Sequence, residues 1–315
     1  MNDLVSSLGL DPDNDLSVFL LLAGFTFVVV TALWILGLRQ GNHSMMDGWY
    51  GFAYVVPAVL AYLIVEAQSV TAAVLVLMVG LHGCRLGWYL ASRWRRYRRS
   101  LGGDPRYLRF AEEMQPGYWW RSFFKVMEPQ AVIIVLIGAP TVGGILANRE
   151  ANGMLGPLAF AGMVVFGIGY YFETVADGQL QAFLAQEQRP RYLSTGVWTF
   201  TRHPNYFGNV CVWWGIWLVA IDGNIDAWWT GVGPLVNTIM LTSVLGSNFQ
   251  DNFMGARPAY QELMLRTRRF LPLPLSDKTI AKNRARLEKL NATIGQTNPA
   301  EPTPTEPTPF EGGVR

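Results

Sequence analysis

The residues whose types and spacing can do chemistry fall into three groups. Glu173, Asp177 and Gln181 recur every four residues near the end of an apolar run, so they share one helix face. The run Thr201-Arg202-His203-Pro204-Asn205-Tyr206-Phe207-Gly208-Asn209 opens the next apolar stretch. Pro204 suits a first helical position, and Asn205, Asn209 and Trp213 then lie on one face. His82, Arg85 and Tyr89 form the third group, at spacings of three and four inside another apolar run. The free N–H groups and positive dipole of a helix start attract an anion, with Arg202 and His203 beside them. Asn205 and Asn209 both donate and accept, and Glu173 and Asp177 accept from sugar hydroxyls or an exocyclic amine. Together these describe a nucleotide-shaped cofactor. A helix cap or an interfacial anchor accounts equally well for any one of the residues; the constellation favours the cofactor. In the third group, Arg85 lies roughly 9 Å and His82 roughly 14 Å along the helix from the run's end near Ala91. Arg85 can snorkel to headgroups, whereas His82 has to find a partner or line a cavity.

The elements that must position these residues are apolar. The chain has 315 residues, 50% hydrophobic and only 15% charged, against about 25% charged in soluble domains. That argues against a soluble dinucleotide enzyme, and a net charge of +2 is too small to signal nucleic acid. Cys84 and Cys211 lie in apolar runs, so neither a disulfide nor a metal site is expected. Seven stretches have membrane-crossing character: 16–38, 48–66, 69–91, 129–147, 153–176, 205–221 and 227–247. The acidic leader (Asp3, Asp11, Asp13, Asp15) is unlike a signal peptide. Arginines crowd 92–128 and recur at Arg189, Arg191 and Arg202 and after 247. An odd number of spans with the N-terminus outside and the C-terminus cytoplasmic puts them inside and leaves over only Arg85 and Arg149. Arg93 to Arg99 are expected to meet anionic headgroups. The fold class is therefore an all-α, multi-pass membrane protein. It divides into an acidic extracytoplasmic segment 1–15, a membrane domain 16–276, and a polar and Pro/Thr/Glu-rich tail 277–315, partly helical to Leu290 and disordered beyond.

The stretch Gly196–Gly208, followed by Trp213-Trp214-Gly215, resembles the signature of bacterial membrane proteins of the steroid 5-alpha-reductase-like family. Glu173-Thr-Val-Ala-Asp177-Gly-Gln179, His82-Gly-Cys-Arg85-Leu-Gly, Asp104-Pro-Arg106-Tyr107, Arg257-Pro-Ala-Tyr260 and Thr267-Arg-Arg-Phe270-Leu-Pro272 extend the likeness over most of 45–275. The resemblance implies a seven-helix fold in a bacterial plasma membrane. It also implies NADPH-dependent reduction of an enone-type double bond in a steroid or other lipid-soluble substrate, with hydride going to the β carbon and an acid polarising the carbonyl. On this reading Glu173, Asp177, Arg202, His203, Asn205, Tyr206, Asn209, Trp213 and Tyr260 bind the cofactor, and His82, Arg85 and Tyr89 are catalytic. The partners are the lipid substrate and the membrane, with no metal and no nucleic acid. Asn209 stands where the pattern usually has Glu, and Glu173 where the animal enzymes have Asn. Their carbonyl-polarising tyrosine has only Gly83, beside His82, in the matching segment. Related membrane methyltransferases carry a similar Arg-His-Pro-x-Tyr-x-Gly run and bind S-adenosylmethionine. They rank second because Asn248–Phe253 holds no Glu-Glu pair. A non-catalytic membrane scaffold is the third reading.

Overall fold

The computed structural model describes Ser7 and residues 11–150, 153–244, 246–255 and 257–297, without the side chains of 244, 249, 253 and 293–297. Its regular elements are helical; among the described residues the one extended pairing is a bridge between Thr201 and Arg268. Five helical segments are long and apolar enough to cross a membrane: Asp15–Gln40, Met45–Ile64, Val70–Leu101, Tyr118–Ala147 and Pro157–Leu184. These coincide with the first five expected crossings. The chain divides into two compact units, one made of residues up to Phe166 with Trp213–Val236, the other of Gly167–Val212 with the chain from Asn237.

The first unit contains α1 (Asp15–Gln40), α2 (Met45–Tyr50), α3 (Phe52–Ile64), α4 (Val70–Leu101), α5 (Pro105–Glu113) and α6 (Tyr118–Ser122). A π-helical turn, Phe123–Met127, leads from α6 into α7 (Glu128–Ala147). The start of α8 (Pro157–Leu184) and the end of α9 (Pro204–Gly223) also belong here. Local chemistry sets the helix limits. Asn14 and Ser69 cap α1 and α4 by accepting from Ser17 N and Ala72 N, both at 3.0 Å. Gly41, at φ 76°, ends α1 in the left-handed conformation that glycine adopts without strain. Small and branched side chains such as Ala58, Ala61, Leu75, Val79, Ala131 and Ile145 fill the core, while Val28, Leu77, Trp88, Phe124 and Val164 point outward and exposed. Water would penalise such a surface; lipid does not.

Polar contacts sort the helix ends of this unit into two sets. At one end, Arg149 after α7 pairs with Asp15 at the start of α1 and donates to Asp13 O at 2.9 Å. The Arg149 carbonyl accepts from Gln68 N before α4. Asp222 accepts from Gly156 N (2.6 Å) and Leu158 N (3.0 Å) at the start of α8, and Asn148 Nδ2 donates to Ala220 O at 2.9 Å. At the other end, Asp47 of α2 accepts from Arg93 and Arg106 (both 2.7 Å) and from the Tyr107 hydroxyl (3.1 Å). Asp104 caps α5 there. Burial alone would raise the Asp104 carboxyl, but hydrogen bonds from Arg106 and the charges of Arg106 and Arg93 hold it below its usual range.

The second unit holds the rest of α8, a 3₁₀ turn Gly196–Thr199, the start of α9, α11 (Ser247–Met254), α12 (Pro258–Arg266) and α13 (Asp277–Thr297), with α10 (Val232–Ile239) entering it at its end. One expectation needs correction. The stretch 227–247 is not one α-helix but a 3₁₀ segment (Ile225–Gly231), α10 and a π-helical turn (Met240–Val244). Gly231, Gly233 and Pro234 interrupt the ladder, and Thr242 Oγ1 bonds back to Thr238 O. The helical part of the tail, expected to reach Leu290, extends to Thr297. Asp277–Thr297 is helical, with Leu287 buried against Tyr260, Leu263 and Met264 and Asn283 donating to Met264 O at 2.7 Å. The Pro/Thr/Glu run, Pro299 through Pro309, and most of residues 1–10 lie outside the described residues.

Candidate functional site

In the second unit the two expected polar faces meet, one helical turn per contact. Asn205 Nδ2 donates to Asp177 Oδ1 at 3.3 Å, and Asn209 Nδ2 donates to Glu173 Oε1 at 3.1 Å. Asn237 Nδ2 in turn donates to Asn209 Oδ1 at 3.0 Å. Both carboxylates are buried, at 3% and 6% exposure. Glycine makes this approach possible: a Cβ on Gly208 would lie 2.5 Å from both Glu173 N and Gly169 O, backbone atoms that cannot move aside. Gln181 is half-buried one turn further on. Gln179 does the local work instead, its Oε1 accepting from Val197 N at 3.1 Å, while Trp198 Nε1 donates to Ala176 O at 3.2 Å. The 3₁₀ turn is thereby held on α8 just ahead of the α9 start.

Arg202, His203 and Tyr260 converge elsewhere in this unit, on Asp251. The Arg202 guanidinium grips the carboxylate through Nε (3.1 Å) and Nη2 (2.6 Å). Its Nη1 donates to the carbonyls of Met264 and Thr267. His203 Nε2 lies 3.1 Å and the Tyr260 hydroxyl 2.9 Å from Asp251 Oδ1, and Arg286 Nη1 lies 3.4 Å from Oδ2. Burial alone would raise the Asp251 carboxyl, yet the hydrogen bonds from His203 and Arg202 and the arginine's charge hold it well below its usual range. Burial lowers the His203 imidazole, the nearby carboxylate opposing in part. Tyr206 stacks on His203, rings 5.4 Å apart and 6° from parallel, and its hydroxyl accepts from Gln250 Nε2 at 2.8 Å. Arg202, expected beside an anion at the helix start, is turned inward with its side chain 1% exposed. The donors and acceptors around Glu173 and Asp177 fit the sugar and amide portions of a nucleotide cofactor. A phosphate has to be met by other groups than the Arg202 guanidinium.

In the first unit, His82 is fully buried with its ring edge-on to Trp213 (5.8 Å, 82°), and Trp213 is edge-on to Tyr54 (4.7 Å, 65°). Arg85 and Tyr89 are half-buried on the same helix as His82. The sequence reading missed four residues of these clusters: Asp251, Arg286, Asn237 and Tyr54. Tyr50 and Tyr54, four apart across the α2–α3 junction with rings 5.7 Å apart, were a usable signal. Asp251 and Arg286 had none, since their partners lie far away in sequence.

Among the comparisons with known proteins, a family model described as "Protein of unknown function (DUF1295)" matches residues 33–267. No curated protein and no solved structure matches the chain.

Proposed function

For a chain that belongs to the DUF1295 family of membrane proteins, we propose an NADPH-dependent reductase that saturates an enone-type double bond in a steroid or other lipid-soluble substrate. One observation carries the reading. Glu173 and Asp177 on α8 meet Asn209 and Asn205 on α9, placing two buried carboxylates against two half-buried amides in an apolar helix pair. Buried polar groups in membrane helices are costly and mark functional sites by default. Carboxylates accept from ribose hydroxyls, and amides both donate to and accept from a carboxamide. The two departures from the resembled pattern are also one feature, because Asn209 and Glu173 are hydrogen-bonded to each other. The pair keeps one carboxylate and one amide, exchanged between helices. When bound, NADPH supplies the hydride. The chain's own part is to orient the cofactor through Glu173, Asp177, Asn205 and Asn209. The reading includes seven crossings of a bacterial plasma membrane, N-terminus outside and C-terminus in the cytoplasm.

The test is thermal unfolding and fluorescence of the detergent-purified chain with NADPH and with S-adenosylmethionine. NADPH raises the unfolding midpoint, a saturating ligand at 100 times its Kd adding about 2.7 kcal/mol, and Asn205→Ala weakens the effect. Stabilisation by S-adenosylmethionine alone replaces reduction with methyl transfer, and stabilisation by neither leaves a scaffold.

A further inference from the structure

The arginine run at the end of α4 does not act as one block. The helix has 32 residues, about 48 Å at 1.5 Å per residue, while the hydrocarbon core of a bilayer is about 30 Å thick. Trp88 therefore stands about 27 Å along the axis from Val70, at the far edge of the core, and Arg95 about 38 Å along, at headgroup depth. Arg93 is drawn inward, its Nη2 2.7 Å from Asp47 and 3.9 Å from Asp104. Arg98 bonds Gln40 at the end of α1 and lies over the Trp94 ring at 5.6 Å. Arg95, Arg96 and Arg99 remain exposed, and among the described residues no carboxylate pairs with them. Arg95 lies over the ring of Trp88 at 6.0 Å, and that ring is 69% exposed.

We propose that Trp88, Arg95, Arg96 and Arg99 form a binding surface for anionic phospholipid headgroups. The indole ring is amphipathic and sits at the boundary between acyl chain and headgroup. It holds the Arg95 guanidinium by a cation–π contact at the depth of a lipid phosphate, and a planar guanidinium binds phosphate in a two-pronged fashion. Arg96 and Arg99 follow on the emerging helix and add charge at the same depth. Charge complementarity selects an anionic over a zwitterionic headgroup, because each basic residue near the surface is worth about fivefold in binding an anionic membrane. The internal use of Arg93 and Arg98 separates this surface from mere excess of positive charge.

The experiment is native mass spectrometry of the full chain in detergent with equimolar phosphatidylglycerol and phosphatidylcholine, scoring retained lipid. The intact chain retains phosphatidylglycerol with at least about a tenfold preference. The triple variant Arg95→Gln, Arg96→Gln, Arg99→Gln brings that preference near unity, and Trp88→Leu lowers it while keeping the helix apolar. Thermal unfolding of each variant in detergent alone stays at the wild-type midpoint, since none of the four is buried. No preference in the intact chain overturns the proposal, as an acidic soluble partner for these arginines would produce. An undiminished preference in the triple variant overturns it as well.

Discussion

Asp251 accepts hydrogen bonds from four side chains on three different stretches of chain: Arg202 and His203 ahead of α9, Tyr260 on α12 and Arg286 on α13. A buried carboxylate so placed is costly to disturb, because each partner would be left with an unsatisfied polar group. Asp251→Asn removes the counter-charge of Arg202 and is expected to destabilise the protein by about 3–5 kcal/mol, read as a lowered unfolding midpoint. The pH dependence follows from the two shifts. His203 is held below its ordinary value of 6.5, so the unfolded chain takes up the proton first as pH falls below about 6.5, and stability declines there. Asp251 lies below its ordinary 3.8, so its contribution survives until pH drops under about 4. The midpoint should thus decline as pH falls below about 6.5, and His203→Gln should flatten that slope; an unchanged slope assigns the titration to another group. The Glu173–Asn209 pair gives a second residue-scale expectation. Glu173→Asn and Asn209→Glu each change the balance of carboxylate and amide and reduce NADPH binding at least about tenfold, the loss expected for a charged hydrogen bond. The double exchange restores one of each and recovers most of the binding. Equal loss in the double variant shows that the position of the carboxylate matters, not only its presence.

At the scale of elements, apolar length and helical spacing were enough to locate α1, α4, α7 and α8, since a helix that faces lipid carries its signal in every turn. The faces of Glu173 and Asp177 and of Asn205 and Asn209 were also legible, because four-residue spacing is local information. Whether two such faces meet is not local, and the sequence adjacency of Arg202, His203 and Asn205 concealed that Arg202 and His203 turn to Asp251 while Asn205 turns to Asp177. The docking of α13 was not legible for a related reason. Its composition is that of a solvated helix, while Asn283, Arg286, Leu287 and Asn291 dock it against partners that sequence order does not reveal. The meeting of α8 and α9 rests on backbone proximity at Gly169 and Gly208. Gly208→Ala puts a methyl 2.5 Å from Glu173 N, which the helices relieve only by separating. The expected outcome is a loss of about 1–3 kcal/mol together with lost NADPH binding. A fully stable variant that still binds NADPH removes Glu173–Asn209 proximity as a requirement of the site.

For the whole molecule, five and seven crossings both leave the termini on opposite sides, so charge counting gives the same answer for either. The helix-end contacts of the first unit are more discriminating. The end of α7, the start of α8 and the end of α9 share one set of contacts, through Asn148 to Ala220 and Asp222 to Gly156. Asp15 at the start of α1 joins the same set through Arg149. If α7 and α8 cross the membrane, the loop at Asp222–Asp226 therefore lies on the side of the N-terminus, and α9 has crossed. Arg149, left over by the positive-inside count, fits there because Asp15 and two backbone carbonyls near Asp13 take up its guanidinium. In a Cys84→Ala, Cys211→Ala background, the exposed positions Asp13→Cys and Asp226→Cys should react with a membrane-impermeant maleimide in intact cells. Ser100→Cys and Lys278→Cys should react only after permeabilisation. Protection of Asp226→Cys with labelling of Asp13→Cys means that α9 enters and returns on the cytoplasmic side, reducing the crossings to five; the reverse pattern at all four positions inverts the orientation.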